Sequence, residues 1–310
     1  MSAVAAQETE REAQGGAAAV FQAHRDRLWR IAYGIVASPD DADDLVQDAY
    51  VRWHGTDRSQ VRNPEAWLVT TTTRLGIDRL RASRSERSVY VGPWLPTPVV
   101  DPAPLPDRTA EIASELSVAF LALLERLAPE ERAAFLLREV FDVPYPEIAR
   151  VLERSETACR QVVHRARGRV RAEGVRFRPS DEELEGMARQ FSAALHADDY
   201  EALVEILTPD ASYVTDGGGK AWAARRVVTG ADRVARCVLG VSRKRRASGG
   251  MDERMARING EPGLLTYRHG LPIAVTVFGL AEGRIHGVYR VLNPDKLLGV
   301  PSLAAFDRAP

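Results

Sequence analysis

Between Ser88 and Asp107 the chain carries six prolines, at positions 93, 96, 98, 102, 104 and 106. A proline has no amide hydrogen to donate and fixes its own φ, so such a stretch builds neither a helix interior nor a central strand. It reads as a linker, and a chain interrupted there must fold around more than one core. With 310 residues there is enough chain for two or three cores. Residues 1–16 are small, polar and of mixed charge and read as a flexible tail. Helical periodicity fills 17–87 and returns over 108–178, and from 179 to 310 two helical segments give way to short alternating strands. The expected architecture is therefore multidomain, two all-α helical domains followed by an α+β domain.

The formal net charge is −1. Any contact with nucleic acid must come from local basic patches rather than from the chain as a whole. The two cysteines, Cys159 and Cys237, lie far apart and outside metal-ligand or redox spacing, so neither a disulfide framework, a metal nor a cofactor is implied. No apolar run is long enough for a signal peptide or a membrane span, and the expectation is a cytoplasmic protein with no membrane partner.

Helix starts carry physical markers. Ser38, Pro39 and Asp41 supply an N-cap, a first-turn proline and a carboxylate for a capping box, launching a helix to about His54. Asn63, Pro64 and Glu65 repeat that logic for a helix to about Ser83, and Ser180 with Glu183 does so again. In the first helix Ala42, Leu45, Val46, Ala49 and Tyr50 share an apolar face, while Asp44, Gln47 and Asp48 stand on other sides, a solvated acidic face by composition alone. The second combines Trp67, four consecutive threonines and Arg74, Arg79, Arg81, Arg84 and Arg87. Threonine is an indifferent helix former. Hydroxyls and guanidinium groups bond phosphate oxygens and aromatic faces stack on bases, although a tryptophan such as Trp67 is more often core than base-stacking.

In the second helical block an amphipathic helix from Thr109 to Leu127 carries Ile112, Leu116, Phe120 and Leu123, and Pro129 with Glu130 starts another. Beyond the break at Asp142 to Pro144 the pattern is helix, short turn, helix. Ile148, Ala149 and Leu152 face inward on the first, and Ser155 caps the second. Cys159, Val163, Ala166 and Val170 then form a buried stripe that turns Arg160, Gln161, His164, Arg165 and Arg167 outward. A helix-turn-helix lays such a face in the major groove, with the N-terminal residues, here from Thr157, nearest the base edges.

These strings resemble a known family. DADDLVQDAYVRW followed by AWLVTTTTRLGIDRLR is similar to region 2 of extracytoplasmic-function (ECF) sigma factors, and the helix-turn-helix ending His164-Arg165-Ala166-Arg167 is similar to their region 4. The resemblance implies that Asp44, Gln47 and Asp48 contact core RNA polymerase. It implies that Trp67, Arg74, Arg79, Arg81 and Arg84 line promoter DNA at the −10 element, with a base flipped out near the loop Asp57 to Arg62. Arg74 stands where many members have Asn. Thr157, Arg160, Gln161, His164, Arg165 and Arg167 would read the −35 element.

After residue 179 strands are expected near Ala211–Thr215, Ala221–Val227, Met251–Ile258, Leu264–Arg268, Ile273–Leu280 and Ile285–Leu292, with a helix from Ala231 to about Ser242. Helices across one curved antiparallel sheet make an α+β cone. This pattern looks like the SnoaL-like branch of the NTF2 superfamily. WLPTP at Trp94–Pro98, DGGGK at Asp216, Gly217, Gly218, Gly219 and Lys220, and NPDKL at Asn293, Pro294, Asp295, Lys296 and Leu297 resemble signatures of the ECF subgroup with a SnoaL-like extension. Thr97 replaces the usual carboxylate of the first. The resemblance implies an intramolecular, regulatory contact through the DGGGK and NPDKL strings between the extra domain and the sigma domains, and no enzyme. Two other readings stand beside it: a cone that senses a small ligand, and an acid–base catalyst using Asp216, His269 or His286.

Overall fold

The structure, a computed structural model, describes residues 2–101, 116–171, 179–247 and 249–308, with side chains from Gly16 onward except at Glu86, Ser88 and Asp101. The chain divides into two compact units, Met1–Ser85 with Leu127–Gly168 and Glu86–Arg126 with Arg169–Pro310. Neither unit is continuous in sequence, and the boundaries differ from those expected from composition.

The first unit is helical. Helix α1 spans Ser2–Val36, so the segment read as a tail takes helical backbone; its alanines, glutamates and glutamines are strong helix formers. Helix α2 (Pro39–His54) starts on Ser38, whose Oγ accepts from the Asp41 amide at 3.3 Å. The Asp41 carboxylate accepts from Arg79 at 2.8 Å. Ala42, Leu45, Val46, Ala49 and Trp53 are buried, whereas Tyr50, placed on that face from sequence, is exposed. Trp53 takes the inward position because its indole N–H reaches the Ala17 carbonyl at 3.0 Å and its ring meets Trp67 with centroids 5.4 Å apart. Helix α3 spans Pro64–Glu86, capped by Asn63, whose Oδ1 accepts from the Ala66 amide at 3.1 Å. It crosses α1 at Gly76, where an added Cβ would stand 3.2 Å from the Ile35 side chain.

Helix α4 (Val118–Leu124) belongs to the second unit, whereas α5 (Pro129–Glu139), α6 (Tyr145–Leu152) and most of α7 (Glu156–Arg171) belong to the first. The fully buried Arg132 of α5 donates its Nε–H to the Gly34 carbonyl at the end of α1, 2.9 Å away. The α4 helix is shorter than the one expected from Thr109 to Leu127; Thr109, Ile112 and the rest of that start lie outside the described residues.

The second unit is built on one seven-stranded sheet, ordered β1 (Val100–Asp101), β4 (Met251–Ile258), β5 (Glu261–Arg268), β6 (Leu271–Ala281), β7 (Arg284–Val291), β2 (Leu207–Asp216) and β3 (Val228–Thr229). The sheet is mixed rather than antiparallel, because β2 pairs with β7 in parallel. The connection between those two strands carries α10 (Ala231–Ala247) and the four strands β3 to β6, long enough for a crossover. The strand expected over Ala221–Val227 is absent: that segment bends with Trp222 and Val227 exposed, and only Val228–Thr229 pairs. A further difference is that both sheet faces are covered. Helices α8 (Asp181–Ala197), α9 (Tyr200–Ile206) and α10 bury Leu264, Phe278, Leu280 and Val288 on one face. Leu265, Tyr267, Val275, Val277 and Tyr289 on the other pack under Leu95, Val100, Val118 and Ala119. Burial on both faces explains the nearly unbroken apolar runs of β5 and β6. The N-terminal half of the supposed linker is thus sheet cover, and β1 pairs with β4 in the register Val100↔Ile258.

Candidate nucleic-acid interface and buried clamp

In the first unit the helix-turn-helix forms as its spacing dictates. Glu153 turns the chain in the left-handed region (φ 53°), and Ser155 Oγ accepts from the Ala158 amide at 3.2 Å. Cys159, Val162, Val163, Ala166 and Val170 are buried, and burial pushes the Cys159 thiol pKa up, consistent with a small core residue. Thr157, Arg160, Gln161, His164 and Arg165 face solvent, while Arg167 forks onto Glu139 at 3.1 and 2.6 Å. On α6 the inward residues are Ile148 and Val151; Ala149 and Leu152 are half-buried, a rotation of one position from the expected face.

A groove of about 740 Å³ runs beside α3, lined by Arg52, Arg62, Trp67, Thr70, Thr71, Arg74 and Arg150 among others. Its rim includes the loop after α2, where Asp57 accepts from the Ser59 amide at 3.1 Å and its hydroxyl at 2.7 Å. Those bonds hold the Asp57 carboxyl below the usual range. The threonine run divides: Thr70 and Thr71 line the groove, whereas Thr72 and Thr73 are fully buried. Trp67 packs on Trp53 and also lines the groove.

Each of the four α3 arginines assigned to DNA by resemblance has partners inside the unit. Arg74 donates to the Val151 carbonyl at 3.0 Å and the Arg150 carbonyl at 2.6 Å, with Glu153 at 3.0 Å. Arg79 bonds Asp41, Arg81 bonds Asp78 and Glu130, and Arg84 bonds the Leu127 carbonyl. On α2, Asp44, Gln47 and Asp48 are exposed.

The DGGGK and NPDKL strings converge in the second unit on the proline-rich segment. Asp216 is fully buried and accepts from the Tyr90 hydroxyl at 2.5 Å, the Leu95 amide at 2.9 Å and Lys296 Nζ at 2.7 Å. Lys296 also donates to the Leu95 carbonyl, and its ammonium lies 3.9 Å from the centre of the Trp94 ring. Arg87 stacks over the same ring at 3.4 Å and pairs with Glu125 at 2.7 Å. Burial pulls the Lys296 pKa down to about 8 against the attraction of Asp216, and burial with the Asp216 contact raises that of Tyr90. The glycines are needed for close approach: a Cβ on Gly218 (φ 57°) would run into Asn293 and Tyr90, and one on Gly219 (φ 73°) would sit 3.2 Å from Val91. Lys220 pairs with Asp295 at 2.6 Å on the exposed rim, and Asn293 donates to Tyr90 at 3.0 Å.

A second fastening was not read from sequence. Asn259, buried at the β4–β5 turn with φ 50°, accepts from the Val99 amide at 2.9 Å and donates to the Leu116 carbonyl at 2.6 Å. The Asn-Gly pair at 259–260 signals a hairpin turn, and only the fold reveals what its side chain holds. Of the acid–base candidates, Asp216 already holds three donors. His269 is exposed at a turn rather than inside a strand, and His286 lies 3.5 Å from Asp210 at the half-buried end of β7. Among the described residues no helix is long and apolar enough to cross a membrane.

A Sigma-70 region 2 model matches residues 20–86 and a Sigma-70, region 4 model matches residues 117–170. With the helix-turn-helix, the groove and the relatives below, the chain belongs to the ECF RNA polymerase sigma factors, carrying an α+β cone as a C-terminal extension. It is 36% identical over 295 residues to the ECF RNA polymerase sigma factor SigJ of Mycobacterium tuberculosis, covering 91% of this chain and 93% of that one. It is 29% identical over 288 residues to the probable ECF RNA polymerase sigma factor SigI of the same organism, covering 90% and 94%. The crystal structure of M. tuberculosis SigJ matches with a TM-score of 0.74 at 34% identity, covering 91% of this chain and 98% of that chain.

Proposed function

We propose that this sigma factor engages core polymerase through Asp44, Gln47 and Asp48, opens the −10 element in the α3 groove and reads the −35 element with α7. It would act in the cytoplasm, where polymerase is, with the C-terminal domain regulating it in cis. The observation that carries this reading is the exposed face Thr157, Arg160, Gln161, His164 and Arg165 above a fully buried stripe, the division of labour a recognition helix needs. A flipped base needs a pocket with a stacking face and hydroxyl or cationic neighbours, and Trp67, Thr70, Thr71 and Arg62 meet that need. The bonds of Arg74, Arg81 and Arg84 to α5, α6 and Leu127 compete with phosphate contacts, so this reading requires α3 to part from them when DNA enters. The cone works as a fused regulator rather than a catalyst, since the buried Asp216 is committed to the proline-rich segment and a tether supplies an effective concentration on the order of millimolar.

In vitro transcription with core polymerase tests this. Arg160→Ala should cost about 1–3 kcal/mol and relax preference at one −35 position if it reads a base edge. A uniform loss would make it a phosphate contact, and no loss would remove it from the interface. Reversing Asp44 and Asp48 should weaken capture by core polymerase in a fluorescence titration, and unchanged affinity of the folded variant defeats that assignment.

A further inference from the structure

The cone's interior, on the sheet face opposite the proline-rich segment, holds a set of cationic donors that the regulatory reading does not use. A cavity of about 70 Å³ lies between α10 and the sheet, lined among others by Tyr213, Arg245, Glu253, Thr266 and Arg290. Arg245 comes from the last turns of α10 and Arg290 from β7. The Nη1 of Arg245 and the Nε of Arg290 are both buried and find no hydrogen-bond acceptor among the described residues. Arg290 donates its Nη2 to Thr266 Oγ1 at 3.2 Å. Directly across from it on β6, the hydroxyl of Thr276 is likewise buried without a partner. Among the described residues no carboxylate stands within ion-pair distance of either arginine. Glu253, which lines the same cavity, accepts from Ser192.

Two guanidinium groups so placed repel one another. Burial and then the neighbouring Arg290 pull the pKa of Arg245 down to about 10. An unpaired buried donor is destabilising, and more so when it is charged. A sequence has little reason to keep two such groups facing one cavity unless something supplies the missing negative charge. A planar guanidinium fork is the group best shaped to meet a carboxylate or phosphate with two parallel bonds.

We propose that the cone binds a small oxyanion, the carboxylate or phosphate head of a cellular metabolite, between Arg245 and Arg290. The volume sets the scale. It exceeds the roughly 30 Å³ share of one water and falls far below the roughly 300–1,000 Å³ of a site that swallows a drug-sized ligand. The anionic head enters, and the rest of the ligand lies toward the mouth beside His196 and Arg246, which line the same cavity.

The test is thermal unfolding of the full chain titrated with inorganic phosphate and, separately, with acetate, each against sodium chloride at matched ionic strength. A ligand that binds only the folded state raises the unfolding temperature in a saturable way. The expected result is saturation by at least one of the two probes, with the apparent Kd weakened at least tenfold in both Arg245→Gln and Arg290→Gln. Saturation by phosphate alone assigns a phosphate head, and by acetate alone a carboxylate. Because Arg290 lies in a strand of the sheet, Arg245→Gln in the last turns of α10 serves as the second variant, read from its own baseline. Absence of a saturable shift beyond chloride overturns the proposal. So does an equal shift in both variants, which would place the anion on the basic helices of the first unit. Transcription by the ligand-free chain is measured separately, so failure here leaves the promoter-reading assignment untouched.

Discussion

Lys296 and Asp216 show what a single pair demands of its surroundings. A lysine whose pKa falls from 10.5 unfolded to about 8 folded binds fewer protons in the folded state between those values. The unfolded state then holds more protons in that window, so stability rises with pH through it. Put the other way, this group's contribution is present above the unfolded pKa and is lost as pH falls to about 8. Tyr90, raised above its ordinary 10, opposes the trend only beyond pH 10. Chemical denaturation from pH 8 to 10 should therefore show the wild type gaining stability relative to Lys296→Met, and a flat difference would mean that the amine titrates normally. The residues of this clamp were legible as strings, because Gly217–Gly219 and the charged ends of both motifs stand out in sequence. Their partners were not. Nothing in the pattern around Tyr90 or Asn259 says that the first meets Asp216 across 126 positions or that the second holds Val99 across 160. Such pairings are set by the sheet, not by local spacing.

At the level of elements, helices with caps and a strict apolar period appeared where expected, since Ser38, Asn63, Ser155 and Ser180 each accept from the amide three residues on. In the stretch Ala221–Val227 only Trp222 and Val227 favour a strand, the three alanines do not, and the segment pairs with no strand among the described residues. The length of α1 was missed for the complementary reason: residues with strong propensity were read as polar tail. Arg74 is informative at this scale. Its guanidinium meets the last-turn carbonyls of α6, groups that have no partner within their own helix, and so acts as a cap supplied by α3. With the side chain nearly half exposed, solvent screening limits its worth, and Arg74→Ala should destabilise the helical unit by roughly 1 kcal/mol. Urea unfolding followed by helix ellipticity measures this. A variant as stable as the parent would show that the bonds in the free protein cost nothing to break, which would ease the entry of DNA.

For the whole molecule, the two-unit division overrides the proline boundary. Leu95, Val100, Val118 and Ala119 precede or begin the second helical block in sequence, yet they are packed on the C-terminal sheet. Burying each of the larger side chains contributes roughly 1.5–3 kcal/mol. A chain ended at residue 178 loses that packing, and it should bind a hydrophobic dye strongly and be cut by protease near Leu95 and Val100 and near Val118 and Ala119, which the full chain buries. Equal protection in both would mean that the segment has a second resting place.

The same packing orders events during synthesis. Leu95 leaves the ribosome 201 residues before Lys296, whose ammonium it must meet, and Val99 leaves 160 residues before Asn259. The α1–α3 helices depend largely on near neighbours and can form early, whereas the proline-rich segment has to wait for Asn259 and Lys296. Contacts of such separation close slowly and leave apolar surface uncovered in the interval. A nascent chain that stops before residue 296 therefore carries an unfastened proline-rich segment. Fastening that segment requires Lys296 of NPDKL to have been translated.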